Sequence, residues 1–263
     1  MSSEVTSKEY WDQYWGEGEI KHPKYNVNQG LFHSYKLLLE DCFEKARQRL
    51  NVDRLQIIDC GCGEGLMLRF IAEQFENVDV YGIEYSDAIG KAERMAVDLD
   101  LSFNLIRGDL LKEWESQYLN KFDVVLSLGL IEHFEDPGEI LAQMIKVLKP
   151  GGALVTIVPN FNGLFHVLWQ LYDKANYAYH IPISHNELSV LHQQSGLNEV
   201  AFYTLGLPTV PGVHNASSIG ERIVRRVTMV VNQYILRRIF PRRQKNILKR
   251  YPMVSTVACV GIK

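Results

Sequence analysis

The residues best placed to do chemistry stand in one run, Asp59-Cys60-Gly61-Cys62-Gly63-Glu64-Gly65. The run follows an apolar, strand-like stretch and opens a helical pattern. Glycines at such a junction let the backbone turn tightly and let a ligand approach where a Cβ would stand in the way. A ligand held there lies at the carboxyl end of a strand, where open α/β sheets bind. The glycines are spaced G-x-G-x-G. Counted from Gly61, the sixth position is Leu66, so the dinucleotide fingerprint G-x-G-x-x-G is not met. Asp59, two residues before the first glycine, would repel a pyrophosphate and attract a cation. Cys60 and Cys62 read as small side chains filling a tight loop, because no second Cys or His pair stands near them at zinc spacing.

Three later strand ends extend the site. Glu84 closes Tyr81-Gly82-Ile83-Glu84-Tyr85-Ser86, where a carboxylate can accept both hydroxyl protons of a ribose. Asp109, in Arg107-Gly108-Asp109-Leu110, can accept from an adenine amino group while Leu110 or Leu111 packs on the ring. Ser127-Leu128-Gly129-Leu130 can line a methionine moiety. A ribose, an adenine and a cationic amino-acid end occur together in S-adenosylmethionine (SAM), which carries an α-ammonium and a sulfonium. Glu132-His133 follows the fourth strand, near where a methyl acceptor would lie. Methyl transfer gains mainly from holding nucleophile, methyl and sulfur in line. An oxygen nucleophile also benefits from a base, and histidine has the right pKa range. The plainer reading is that Glu132-His133 caps the next turn and orients the loop. Tyr14 and Trp15 either staple the N-terminal arm or touch SAM or the acceptor, and Trp15 is counted with the cofactor.

In these runs the chain resembles the class I SAM-dependent methyltransferases, in their small-molecule branch. The run Asp59 to Gly65 resembles that family's first motif, Glu84 its acidic ribose ligand and Asp109 its adenine ligand. Phe122-Asp123-Val124-Val125, Ile131-Glu132-His133-Phe134 and Leu148-Lys149-Pro150-Gly151-Gly152 resemble its signatures after strand four and before strand five. The resemblance covers residues 50–160. Tyr10-Trp11-Asp12-Gln13-Tyr14-Trp15 is similar to the arm that closes over SAM in many such enzymes. The resemblance implies methyl transfer from SAM to an oxygen or nitrogen of a small-molecule acceptor, with Asp59, Gly61 and Gly63 at the amino-acid end and Cys60 counted with the cofactor. It implies Glu84 at the ribose, Asp109 with Leu110 at the adenine, and Ser127, Leu128 and Gly129 along the methionine, and Tyr85 and Ser86 are counted with the cofactor. Some hydroxyl methyltransferases of quinone biosynthesis look similar around Glu132-His133 and hold a divalent metal. They carry a further Glu at the position of Gly129, so no metal is expected here. No DNA partner is expected either: Ser127-Leu128-Gly129-Leu130 replaces both the Pro-Pro-aromatic motif of DNA amino-methylating enzymes and the Pro-Cys of cytosine-C5 enzymes. An RNA- or membrane-lipid-associated enzyme and a non-catalytic SAM-binding regulator are the rival readings.

These residues need a scaffold, and the apolar pattern supplies one. Strands are expected at Leu55–Cys60, Val78–Ile83, Phe103–Ile106, Phe122–Leu128 and Ala153–Val158. Helices are expected at Leu31–Leu50, Leu66–Phe75, Asp87–Leu99 with Asp87 as N-cap, and Pro137–Leu148. Alternation of this kind implies right-handed βαβ crossovers. Asn186–Gln194 reads as a helix, and Asn198–Tyr203 and Val254–Ile262 as late strands that could pair as an antiparallel edge. The fold class is α/β: a Rossmann-like, seven-stranded, mostly parallel sheet with helices on both faces and a helical insertion before the last strand. Residues 1–50 are expected to be a loop-rich arm and a lid helix. Residues 51–263 are expected to be the methyltransferase domain, with 161–185 and 205–252 as acceptor-side insertions.

The 263 residues, 46% hydrophobic and 22% charged, suit one such domain. The polar start shows no signal-like apolar core, no run is long enough to span a bilayer, and the four cysteines read as free thiols of a cytoplasmic protein. The net charge of −3 conceals a division. Residues 221–250 hold ten Lys/Arg and only Glu221, giving +9, and the remainder sums to −12. Ile223, Val224, Val227, Val230, Val231, Tyr234 and Ile235 fall on one helical stripe amid these arginines. Such a helix could pack on the domain or a partner subunit, recognise an acidic acceptor, or lie peripherally on an anionic membrane. Tyr177, Tyr179, His180 and their aromatic neighbours in 161–185 suggest an acceptor pocket or lid rather than a plain amphipathic helix, because Tyr177-Ala178-Tyr179-His180-Ile181-Pro182 does not read as a regular helix. Oligomeric state is left open.

Overall fold

The computed structural model describes residues 6–16, 25, 27, 30–112, 114–208, 219–231 and 254–263. The chain begins with helix α1 (Lys8–Trp15), capped by Ser7, whose Oγ accepts the Tyr10 N–H. The expected arm is therefore helical where it carries its aromatics. Helix α2 (Gly30–Leu50) follows. Next come β1 (Leu55–Cys60), α3 (Leu66–Gln74), β2 (Val78–Glu84), α4 (Ile89–Asp98), β3 (Asn104–Arg107), β4 (Phe122–Leu128), α5 (Pro137–Val147) and β5 (Leu148–Pro159). The last elements are α6 (Gly163–Tyr172), α7 (Lys174–Tyr177), α8 (His185–Gln194), β6 (Asn198–Pro208), α9 (Ile219–Val230) and β7 (Val254–Ile262).

The seven strands form one sheet in the order β3-β2-β1-β4-β5-β7-β6. The first five run parallel, and β7 is antiparallel to both β5 and β6. Strand alternation sorts the core into two layers. Ile57, Val124 and Val155 pack beneath α2 and α3, while Ile58, Val125 and Leu154 pack beneath α5 and α8. Every residue from Phe122 to Ser127 is buried, as a strand covered on both faces requires. Buried Asp123 fixes the start of β4: one carboxylate oxygen accepts the Gln56 N–H at 2.7 Å and the other pairs with Lys149 at 2.7 Å.

Three expectations change here. Helix α2 is no lid: Leu38, Leu39 and Phe43 are fully buried and belong to the sheet-facing core. Asp87 does not cap α4, whose N-cap is Ala88; its carboxylate instead faces Lys8 and Arg107. Residues 161–185 contain the helices α6 and α7, with 178–182 outside any helix, and 205–208 lie within β6 rather than in an insertion. Residues 209–218 and 232–253 lie outside the described residues, and with them Tyr234, Ile235 and most of the basic segment. Among the described residues no helix is long and apolar enough to cross a membrane.

Candidate active site

The expected residues converge where the chain leaves β1 in two directions, towards β2 on one side and β4 on the other. That reversal of strand order opens a crevice at the carboxyl ends. Cys60 stands level with Ile83 on β2 and Ser127 on β4, and Glu84 level with Arg107 on β3. After β1 the loop folds back over β2, with the Gly61 and Cys62 N–H groups donating to the Ile83 carbonyl at 2.9 and 3.1 Å. The turn holds Gly63 at φ +53°, and a Cβ there would lie 2.8 Å from Trp15 Cζ2. Glycine is thus required both for the backbone and for the close approach of α1.

Three backbone N–H groups hold Glu84 in place. The Gly63 N–H donates to Oε2 at 2.9 Å, and the Tyr85 and Ser86 N–H groups donate to Oε1 at 3.0 and 2.8 Å. The carboxylate lines a cleft shared with Trp15, Tyr85, Asp109, Leu110, Leu128 and Gly129. Asp109 sits at the rim, with one oxygen accepting the Leu111 N–H at 2.9 Å.

Asp59 lies beneath the glycine loop and lines an adjoining cavity with Gly61, Gly63 and Lys91. It is buried, and its Oδ1 has no hydrogen-bond partner. Burial, with the charge of Glu84 adding to it, pushes the carboxyl up to about 8. An unmet buried acid is costly unless paired, so this atom calls for a cationic donor. The amino-acid end of SAM supplies one, and the glycine cradle leaves room for it. Ser86 Oγ and Ser127 Oγ are also buried without partners, but neither residue lines the two cavities. Cys60 likewise packs into the core, where burial and the charge of Asp59 push its thiol well up, leaving it inert.

Sequence reasoning assigns no role to Ile83, Gly108 and Phe134, which also line the cleft, or to Lys91 in the adjoining cavity; Trp11 and Leu130 line the cleft and Cys62 the adjoining cavity from runs it singles out. Trp11 precedes Trp15 by one helical turn, a signal legible only once the arm is read as a helix. Helix α1 is fastened to both halves of the site. Asp12 Oδ1 accepts the Asp87 N–H at 2.7 Å, and Lys91 donates to the Trp15 carbonyl and to Glu64. On the other side Trp11 meets His133 edge-on at 4.9 Å, and Tyr10 meets Tyr179 at 4.5 Å.

Glu132 and His133 form a short 3-10 turn and are both buried. The Tyr179 carbonyl lies 2.8 Å from His133 Nδ1. A carbonyl only accepts, so Nδ1 carries the proton and Nε2 presents a lone pair. Burial, assisted by His180, pushes the imidazole down to about 3, so it is neutral at pH 7. Burial also raises Glu132 to about 8, and neither of its carboxyl oxygens has a hydrogen-bond partner. Glu132, His133 and His180 each bring one ligand atom within 4.8 Å of the others. A carboxylate and two imidazoles suit a divalent cation. The expectation of no metal weighed Gly129 and did not count His180, which the α7–α8 connection delivers from 47 positions away in the chain. An aromatic wall continues from His180 to Trp169 at 4.8 Å and on to Phe161.

A 3-2-1-4-5-7-6 sheet with an acidic glycine loop, a backbone-held acid after β2 and an acid after β3 defines a class I SAM-dependent methyltransferase. The family of the methyltransferase domain matches residues 51–201, and the chain belongs to it. Among relatives, a ubiquinone biosynthesis O-methyltransferase of Pseudomonas fluorescens is 24% identical over 161 residues, covering 57% of this chain and 67% of the relative. One of Rickettsia conorii is 32% identical over 122 residues, covering 46% and 40%. A third, of Rickettsia typhi, is 31% identical over 148 residues, covering 55% and 58%. The alignments thus span from two fifths to two thirds of these relatives' lengths. In fold, the chain is similar to a SAM-dependent methyltransferase from Archaeoglobus fulgidus, with TM-score 0.53, 19% identity, and 87% and 99% of the two chains covered. It is also similar to the plantazolicin methyltransferase BpumL, solved with S-adenosylhomocysteine, with TM-score 0.53, 19% identity, and 97% and 88% covered.

Proposed function

We propose that this protein transfers the methyl group of SAM to a hydroxyl oxygen of a small aromatic acceptor. The observation that carries the choice of oxygen is His133: neutral, with its lone pair on Nε2, and set in an aromatic wall beside α1. The names of the relatives, all O-methyltransferases, support the same choice. Asp59 takes the α-ammonium of SAM, the loop Gly61–Gly63 its carboxylate end, Glu84 the ribose hydroxyls, and Asp109 with Leu110 the adenine. Leu128 and Gly129 flank the methionine chain, and Trp15 closes over it.

The acceptor ring stacks among Trp11, Tyr179 and His180 and presents its hydroxyl to His133. The oxygen attacks the methyl carbon, the C–S bond breaks with its electrons going to sulfur, and the hydroxyl proton passes to Nε2. An imidazole depressed to about 3 is a weak base, so it acts first by orienting the hydroxyl and takes the proton only as the C–O bond forms. A divalent cation held by Glu132, His133 and His180 would occupy the same lone pair and supply Lewis acidity in place of the base. The test is release of S-adenosylhomocysteine from SAM with a panel of phenols, catechols and matched anilines, with and without divalent metal. Turnover with hydroxyl acceptors only is expected. Turnover with amines only would overturn the choice of oxygen. SAM binding without turnover on any acceptor would favour a regulator.

A further inference from the structure

Helix α9 turns its apolar side outward. Ile219, Ile223, Val227 and Val230 are 49–74% exposed, and at about 100° per residue they fall within about 80° of arc. Thr228, on the opposite side, is buried, so the helix is seated by its other face. Arg222 and Arg226, both exposed, border the stripe. An exposed apolar row of this length is unusual for a protein that stays in water. The stripe opens the basic block, residues 221–250 at +9, on a body that sums to −12. Helix α6, in the other acceptor-side insertion, also exposes Val167 and Leu171.

We propose that the exposed face of α9 docks this protein on an anionic lipid surface. The inference is independent of the methyl-transfer reading, because it rests on no residue of the cleft. Two features select lipid. An apolar stripe bordered by arginines matches a surface that is hydrocarbon within and anionic at its edge, and basic residues near such a surface each add attraction. A second copy docked about a two-fold axis would instead bring the arginines bordering one stripe towards those of the other. A nucleic acid would use the arginines and leave the apolar row without a partner.

The test is flotation of the full chain with phosphatidylcholine vesicles, with and without phosphatidylglycerol. It is run beside the I223E/V227E and R222E/R226E variants, with SAM titration of each to show that the fold is kept. The wild type is expected to float with the anionic vesicles only, and to be released by high salt. Each variant should lose at least about tenfold in bound fraction while binding SAM like the wild type. Failure of the wild type to float, equal flotation on neutral vesicles, or retained flotation in both variants would overturn the proposal. So would a wild-type dimer that I223E/V227E turns monomeric without any lipid binding, which would give the face to a second copy.

Discussion

Replacing Asp59 by Asn should make the protein more stable and a worse enzyme at the same time. The buried carboxyl is held near 8 in the folded chain against 3.8 for the free side chain. The sign follows from linkage. Between those values the folded state binds more protons than the unfolded state, so stability is fullest below pH 4 and is lost as pH rises through 8. At about 1.4 kcal/mol per unit, the residue removes at most about 4 kcal/mol between pH 5 and pH 8. Asparagine does not titrate, so the variant should keep most of that stability. In the free protein its melting temperature should stay nearly flat over this range while that of the wild type falls. SAM reverses the comparison. Loss of a hydrogen bond to a charged group, worth roughly 1.5–3 kcal/mol, should weaken SAM about ten- to a hundredfold at pH 8. Wild-type affinity should also climb from pH 6 to pH 8 as the ammonium selects the ionised acid. Thermal unfolding and calorimetric SAM titration of both proteins at pH 5, 6, 7 and 8 read all of this. A variant that binds SAM as tightly as the wild type, or whose melting temperature tracks the wild type across pH, would refute the reasoning.

Glu84→Gln puts an amide where three backbone N–H groups donate, and it should weaken SAM by about a hundredfold; unchanged affinity by calorimetry removes Glu84 from the ribose site. Gly63→Ala places a Cβ 2.8 Å from Trp15 Cζ2 at φ +53°. It should cost about 1–2 kcal/mol in denaturant titration and speed SAM release; wild-type values in both would mean that α1 does not need this approach. His133→Ala should lower turnover by about 10²–10⁴-fold with SAM affinity nearly unchanged, and equal turnover would take the imidazole out of the reaction. Asp12→Ala frees α1 from the Asp87 N–H. Because the contact is exposed, stability should change by less than about 1 kcal/mol while SAM dissociation in stopped flow accelerates; an unchanged off-rate would show that α1 is not held there.

The cofactor half of the site is legible in the sequence because each of its parts is local. A glycine loop, a strand and the acid at the strand's end are consecutive residues, and the parallel register brings those ends level. Glu84 illustrates the limit: its position could be read, but not the three backbone donors that hold it, since Gly63 reaches it from another loop. The acceptor half is assembled from distant pieces. His133 could be named, but its tautomer is set by Tyr179, its depressed basicity by burial and His180, and its neighbour Trp11 by a helix near the start of the chain. The apolar residues of helix α2 suit a lid and a core helix equally well. Only the uncovered face of β4, β5 and β6 decides between them.

The place of β7 between β5 and β6 bears on how the chain is made. Residues up to Pro159 can complete the five-stranded parallel half with its glycine loop as they leave the ribosome, in keeping with domains folding as synthesis proceeds. Strand β6, although synthesised well before β7, has no neighbour to pair with until Val254–Ile262 arrives and inserts between it and β5. Until then the β5 edge is open, a long row of unpaired peptide groups flanked by apolar side chains, and such edges recruit foreign strands. Sealing of the sheet therefore waits for Val254–Ile262, which are made well after the residues that line the cofactor cleft.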